Sequence, residues 1–134
     1  MRIFFDTNVI ISAFITHGHA SELFNYCLAN HRNYTSDFVI AELEKNLPKF
    51  DYSKEEIKIV TGFLNINFLI ISSYNKLEDR MCRDEDDDNI LAAACKSEID
   101  CIITGDKDLL VLKKHNDISI LSPRDFWSFE KSFK

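Results

Sequence analysis

The first nine residues, MRIFFDTNV, set an apolar run directly before three polar residues. The run at 3–5 favours a strand buried on both faces of a parallel sheet. Apolar residues resume at Val9, so the polar segment predicts a turn from this strand into a helix. Such a turn places Asp6 at the carboxyl end of a central strand, where open α/β sheets bind their ligands. Asp6 or Asn8 can also serve as an ordinary helix N-cap.

Composition favours one globular domain spanning residues 1–134. The chain is 46% hydrophobic, with 3 Gly and 2 Pro, and has no linker-like or low-complexity tract. No apolar run is long enough to cross a bilayer, and no signal-peptide pattern opens the chain, so we expect a cytoplasmic protein without a membrane partner. The net charge of -6 argues against broad, non-specific binding to a polyanion. A nucleic-acid substrate that meets the protein through bound cations remains compatible with that charge.

Strand-like and helix-like segments alternate along the chain. The predicted strands are 3–5, 32–35, 68–71, 101–104 and 118–121. Helices are predicted between them and after the last strand, and three of these begin at Ser36, at the capping box Ser53–Glu56 and at Ser122-Pro123. This β-α-β rhythm predicts a three-layer α/β/α fold with a central parallel sheet of about five strands.

Two further segments have less regular patterns. Residues 77–88 are polar and acid-rich, which predicts a loop, and residues 109–114 predict a short helix. Among the cysteines there is no C-x-x-C pair and no zinc-finger spacing. The apolar surroundings of Cys27, Cys95 and Cys101 predict buried free thiols.

Glu42 stands in an otherwise apolar helix face, next to Leu43 and three residues after Val39. A single Glu in such a helix usually faces solvent, so Glu42 alone is weak evidence for a site. Glu44 competes for the same role, but helical geometry places it on the other side of the helix.

The acidic run DEDDD at 84–88 leads directly into the apolar segment 90–94. A solvated loop is the simplest explanation for five adjacent carboxylates. In the following helix, however, Asp87 shares the apolar stripe of Ile90, Leu91 and Ala94, so its carboxylate should point toward the sheet edge.

A third polar cluster, TGDKD at 104–108, follows an apolar strand. Asp106 lies near the strand end, whereas Asp108 can instead cap the next helix. Four acids would then face one crevice: Asp6, Glu42, Asp87 and Asp106. They offer only hard oxygen ligands, which favour Mg²⁺ or Mn²⁺ over zinc.

These motifs together resemble a PIN domain, and more specifically the toxins of bacterial toxin–antitoxin pairs. The DTN after the first strand, the DxDDDxILAAA helix start and the IITGDKDLL segment carry the resemblance, which covers essentially the whole chain. It implies that the same four acids bind Mg²⁺ or Mn²⁺ and cleave RNA. Asp84, Asp86 and Asp88 compete with Asp87 for the role of third acid. Asp87 is preferred because it lies on the core-facing side of the predicted helix and because its sequence separation from Asp106 fits the family pattern. The resemblance also implies supporting polar side chains, for which Asn8, Thr104 and Asp108 are the candidates.

The resemblance implies partners as well as an activity. We expect an RNA substrate, a cognate antitoxin and a homodimer. The C-terminal aromatic residues Phe126 and Phe129 share a helical face and should pack on the last strand, whereas Trp127 lies off that face and is available for an interface.

Two other functions remain open at the level of sequence. A haloacid-dehalogenase-like phosphatase also begins with an Asp at a strand end, but it needs a second Asp where this chain has Asn8. A catalytically inactive PIN fold that serves as an RNA-binding or scaffold module would be expected if acids were missing, and none of the four is missing.

Overall fold

A single mixed sheet organises the chain in the computed structural model, which describes residues 1–16, 18–72 and 85–133, without the side chains of 85–88. Its strands are β1 (Arg2–Phe5), β2 (Arg32–Ser36), β3 (Leu69–Ile71), β4 (Cys101–Ile103), β5 (Lys114–His115) and β6 (Ile118–Leu121). Their order is β3-β2-β1-β4-β6-β5, and neighbours are parallel except for the antiparallel pair β5–β6. The predicted parallel α/β fold is therefore confirmed, with β1 and β4 at its centre.

The helices begin where the sequence places N-cap residues. In the described ranges they are α1 (Thr7–Ile15), α2 (His19–Asn30), α3 (Asp37–Asn46), α4 (Lys54–Asn67), α5 (Glu85–Cys95), α6 (Lys107–Leu110) and α7 (Pro123–Ser132), with a 3₁₀ turn (Leu47–Phe50) after α3. Ser36 and Ser122 cap α3 and α7 through their side chains. Ser53 and Glu56 form both hydrogen bonds of the predicted capping box. None of these helices is long and apolar enough to cross a membrane.

The helix predicted over 109–114 is wrong beyond Leu110, and its last residue belongs to the edge strand β5. Helix α6 ends at Leu110, and Lys113 adopts a left-handed conformation (φ 58°) that a helix does not continue through. Strand β5 then pairs with β6 across the two-residue turn Asn116-Asp117, in which Asn116 also has a positive φ of 54°. Asn and Asp are typical of such turns, so the sequence carried a hairpin signal that the apolar pattern obscured.

The loop predicted over 77–88 is wrong at its end, because the helical backbone of α5 begins at Glu85. Acidic residues in a first helical turn are stabilised by the partial positive charge of the helix N-terminus, which explains why this run is compatible with a helix. The rest of that prediction, 77–84, lies outside the described residues.

The central strands are buried on both faces, as the sequence predicted for β1. The side chains at positions 3–5 and 101–103 are fully inaccessible to solvent. Phe5 makes edge-to-face contacts with Phe24 of α2 (5.7 Å) and with Phe68 (5.6 Å) just before β3. Helices therefore cover both faces of the sheet and give the three-layer architecture.

Two of the three predicted buried thiols are buried. Burial raises the pKa of Cys27 to about 12 and also raises the pKa of Cys101, so neither is a thiolate at neutral pH. Cys95 was predicted wrongly: it is exposed, at the C-terminal end of α5.

The C-terminal helix α7 packs through the fully buried Phe126, while Phe129 is half-buried. Trp127 is also half-buried, and its ring contacts Tyr26 of α2 at 4.9 Å. Trp127 thus has an intramolecular packing role, which removes the main reason for assigning it to an interface. At the next turn, Glu130 Oε2 lies 2.6 Å from His31 Nε2, before β2.

We predict that Glu130→Gln destabilises the protein by about 1–2 kcal/mol at neutral pH, because a charged hydrogen-bond acceptor is lost. Burial alone would raise the pKa of Glu130, but hydrogen bonds from Tyr26 and His31 outweigh it and hold that pKa below its ordinary value. A carboxylate with a lowered folded-state pKa stabilises the fold above its unfolded pKa of about 4.3, and this stabilisation is lost as pH falls through the folded pKa. Urea unfolding at pH values from 7 to 3 should show that the free energy of unfolding falls less with acid in the variant than in the unsubstituted protein. Asp117→Asn, at an exposed position in the turn before β6, is the control that should leave the profile unchanged.

Candidate metal centre at the carboxyl ends of the central strands

Asp6 is the buried carboxylate at the centre of the site, with 6% of the residue exposed. It follows β1, and its Oδ1 accepts a hydrogen bond from the Thr7 backbone N (2.7 Å), so Asp6 is the N-cap of α1. Its Oδ2 accepts a hydrogen bond from Thr104 Oγ1, also at 2.7 Å. Asp6 therefore serves as an N-cap while lying at the strand end where a ligand site was predicted.

Thr104 connects the first acid to the last. It follows β4, the parallel neighbour of β1, and its Oγ1 accepts a hydrogen bond from the Asp106 backbone N (3.0 Å). Asp106 Oδ1 in turn accepts from the Asp108 backbone N (2.9 Å), which makes Asp106 the N-cap of α6. The alternative that Asp108 caps this helix is wrong, because the helix begins earlier than the apolar pattern suggested.

The electrostatics of Asp6 favour a bound cation or a proton. Burial raises its pKa above the ordinary value, and the negative charge of Asp106 raises it further. The hydrogen bonds from Thr104 and Thr7 act in the opposite direction but do not cancel the effect of burial. By neutralising the carboxylate, a divalent cation would offset both the cost of burying its charge and its repulsion from Asp106.

Glu42 reaches the same region from α3. Its Oε1 accepts a hydrogen bond from Thr7 Oγ1 at 2.7 Å, and the residue is half-buried. Glu44 is exposed, as expected for the other side of α3. The sequence reasoning missed Thr7, although a threonine directly after a strand-end aspartate, with its hydroxyl at the start of a helix, was a usable signal.

The remaining predicted site residues are Asp87, Asn8 and Asp108. The backbone of Asp87 is in α5, but its side chain is not among those described, and neither are those of Asp86 and Asp88. Asn8 is exposed and lies on the wall of a groove beside α1, while Asp108 is half-buried in the first turn of α6.

The donor set fits a hard divalent cation. Carboxylate and hydroxyl oxygens line the region, and Mg²⁺ and Mn²⁺ are bound in proteins by such ligands. Among the side chains that the structure describes, no three His, Cys, Asp or Glu form a ready metal cluster. The acidic run that begins α5, which supplies the predicted third carboxylate, is not part of that set.

Comparison with known proteins agrees with this description. A family model described as PIN domain matches residues 2–108. An uncharacterized protein of Methanocaldococcus jannaschii is 32% identical, over 98% of this chain and 93% of its own length. PIN domains are nucleases, so the family match places this α/β domain in the nucleic-acid hydrolase class. The chain belongs to the PIN-domain family.

Solved structures share the fold at low sequence identity. A toxin–antitoxin complex from Klebsiella pneumoniae has a chain that is 20% identical, with a TM-score of 0.67, covering 90% of this chain and 97% of its own. The PIN domain endonuclease Utp24 is 24% identical, with a TM-score of 0.55, covering 90% of this chain and 84% of its own. These likenesses support the three-layer architecture.

We predict that Thr104→Val lowers the free energy of unfolding by about 1–3 kcal/mol, because the isosteric change leaves Asp6 Oδ2 and the Asp106 N–H without their shared hydroxyl partner. Thr104→Ser keeps the hydroxyl and should recover most of the loss. Thermal unfolding of both variants, with Thr61→Val on α4 as the control, measures the effect. Equal stability of the Val and Ser variants would show that the hydroxyl bridge contributes nothing.

Proposed function

We propose that this protein is a metal-dependent endoribonuclease that hydrolyses phosphodiester bonds of RNA and acts as the toxin of a toxin–antitoxin pair. The observation that supports this most strongly is the buried Asp6 carboxylate, linked through Thr104 to Asp106 across the two central strands. In a chain of the PIN-domain family, this is an arrangement of oxygen ligands suited to a catalytic cation.

Asp6, Glu42, Asp87 and Asp106 would hold Mg²⁺ or Mn²⁺. A bound divalent ion lowers the pKa of a water molecule and stabilises the charge that develops on a phosphodiester. The protein supplies the fixed positions: two hydrogen bonds hold the Asp6 carboxylate, and the Thr7 hydroxyl orients Glu42. Because burial excludes water around Asp6, its charge interacts more strongly with a cation than an exposed carboxylate would.

The acidic charge of the chain is consistent with this chemistry. At a net charge of -6 the protein repels a polyanion, so RNA binding at the crevice should depend on cations between carboxylates and phosphate. A haloacid-dehalogenase-like phosphatase is disfavoured, since the position of its second Asp is occupied by the exposed Asn8 and the family match is to PIN domains. The inactive RNA-binding or scaffold alternative is separated from the nuclease by the assay below.

A partner follows from the same proposal. The structurally similar protein from Klebsiella pneumoniae was solved as a toxin–antitoxin complex. An acidic crevice in a chain of charge -6 would attract a basic, partly disordered segment of an antitoxin. We place the protein in the cytoplasm, as a homodimer or in complex with its antitoxin.

We expect Asp6→Asn to abolish hydrolysis of single-stranded RNA in Mg²⁺ or Mn²⁺ with little loss of stability. The Asn amide oxygen can keep the cap to the Thr7 N–H and its amide N–H can donate to Thr104 Oγ1, while removing the charge ends the repulsion from Asp106. The measurement is cleavage of a labelled oligoribonucleotide, with and without EDTA, beside thermal unfolding. Cleavage that survives EDTA, or full activity of the Asn variant, would contradict the mechanism.

Matched carboxylates serve as controls for this assay. Asp117→Asn removes an exposed charge in the turn before β6 and should leave activity unchanged. Glu42→Gln should reduce hydrolysis more than Glu44→Gln on the exposed side of α3. Separate Asn substitutions at positions 86, 87 and 88 identify the third acid, and we expect the largest loss for Asp87.

The partner prediction is tested by light scattering on the purified chain, alone and co-expressed with the product of the neighbouring gene. We expect a mass of twice the 15.6 kDa monomer or a stable complex with a small protein. A strict monomer that co-purifies with no neighbour would argue against the toxin role and leave the nuclease proposal intact.

A further inference from the structure

A groove of about 500 Å³ lies between α1 and the 3₁₀ turn that follows α3. One wall is a stripe of α1 formed by Asn8, Ile11, Ser12 and Ile15. These positions are spaced i, i+3, i+4 and i+7, so they share one helical face that runs for roughly 10 Å at 1.5 Å per residue. The opposite wall carries Asn46, Lys49 and Phe50.

Both walls begin at the acidic site. Asn8 is in the first turn of α1, which Asp6 caps. On the other side, Asn46 is four residues after Glu42 in α3, so the two side chains lie on the same helical face. The hydrogen bond from Thr7 to Glu42 joins the two walls at this end. The groove therefore starts about one helical turn from Asp6 on α1 and from Glu42 on α3.

The side chains of the groove combine an aromatic ring, amides and one cation. Phe50 is 48% exposed, and Ile11 and Ile15 supply aliphatic surface beside it. Asn8 and Asn46 each carry an amide, which can both donate to and accept from the edge of a base. Lys49 is exposed next to Phe50 and supplies positive charge in a chain of net charge -6.

We propose that this groove binds a nucleobase of single-stranded RNA next to the scissile phosphate, with the base stacked on Phe50. The proposal rests on the nuclease function and adds the subsite that positions the substrate. Recognition of single-stranded RNA commonly uses bases stacked on aromatic side chains and hydrogen-bonded at their edges. Lys49 contacts the phosphate on the outer side of that base, and the amides of Asn8 and Asn46 face its edge. Most of the groove surface is apolar, so an apolar peptide is the competing occupant, and the exposed Lys49 beside the exposed Phe50 is the feature that favours a base with its phosphate.

The test measures RNA binding in the Asp6→Asn background with Mg²⁺, where the substrate stays intact, by fluorescence anisotropy of a labelled single-stranded oligoribonucleotide. We expect Phe50→Ala and Phe50→Leu to weaken binding roughly tenfold, about 1.4 kcal/mol, and Phe50→Trp to retain it. Ile66→Ala on α4, at a position that is 84% exposed and lies outside the groove, should leave affinity unchanged. Because Phe50 is exposed, these variants should unfold at nearly the parent temperature.

A double-mutant cycle separates stacking from a general packing effect. Oligoribonucleotides with one abasic position, moved stepwise along the strand, are compared on the parent and on Phe50→Leu. At the position whose base occupies the groove, removing both the base and the ring should reduce the binding free energy no more than removing either one alone. If the two losses add at every position, or if the Phe50→Leu variant binds as tightly as the parent, the groove recognises aliphatic surface and the base-binding inference is wrong.

The same experiments distinguish this inference from the nuclease proposal. RNA cleavage without any dependence of binding on Phe50 leaves the nuclease function standing and removes the subsite. If RNA binding depends on the ring and on the base, but the unsubstituted protein with Asp6 intact never hydrolyses RNA in Mg²⁺ or Mn²⁺, the subsite is supported and the nuclease proposal is contradicted. A peptide from a neighbouring gene product that occupies the groove, and binds the Phe50→Leu variant as tightly as the parent, would assign the groove to a protein partner and overturn the inference.

Discussion

The buried Asp6 carboxylate is the constraint on which the site depends. It sits at the end of β1, which is enclosed on both faces, so its charge lies where water cannot stabilise it. Two hydrogen bonds, from the Thr7 backbone N and the Thr104 hydroxyl, hold it in place. Those bonds fix its direction without neutralising it, and Asp106 adds a second negative charge nearby. A cation is the ligand that this environment favours.

The parallel arrangement of β1 and β4 makes this environment possible. In the sheet register Phe5 lies beside Ile103, so the residues that follow, Asp6 and Thr104, emerge at the same edge. The Asp6 backbone N also donates to the Ile103 carbonyl, which continues the pairing one residue past β1. The position of the site thus follows from strand order, and its rigidity follows from the packing of the strands that support it.

The sequence by itself determined the local elements and the type of chemistry. The apolar run before Asp6, and the capping serines at positions 36, 53 and 122, predicted where β1 ends and where three helices begin, because these signals act within a few residues. The absence of soft ligands beside the acids indicated a hard cation. The motifs also indicated the PIN-domain family, which the family model matches over residues 2–108.

Only the tertiary structure decided how these residues meet. The Thr7–Glu42 hydrogen bond and the Thr104 bridge between Asp6 and Asp106 join segments that are far apart in the chain, and no local pattern encodes them. The groove beside the site depends likewise on α1 packing against α3, which brings Phe50 next to the α1 stripe. The exposure of Cys95 at the end of α5 likewise depends on which distant parts of the chain pack against it. Sequence periodicity does not contain that information.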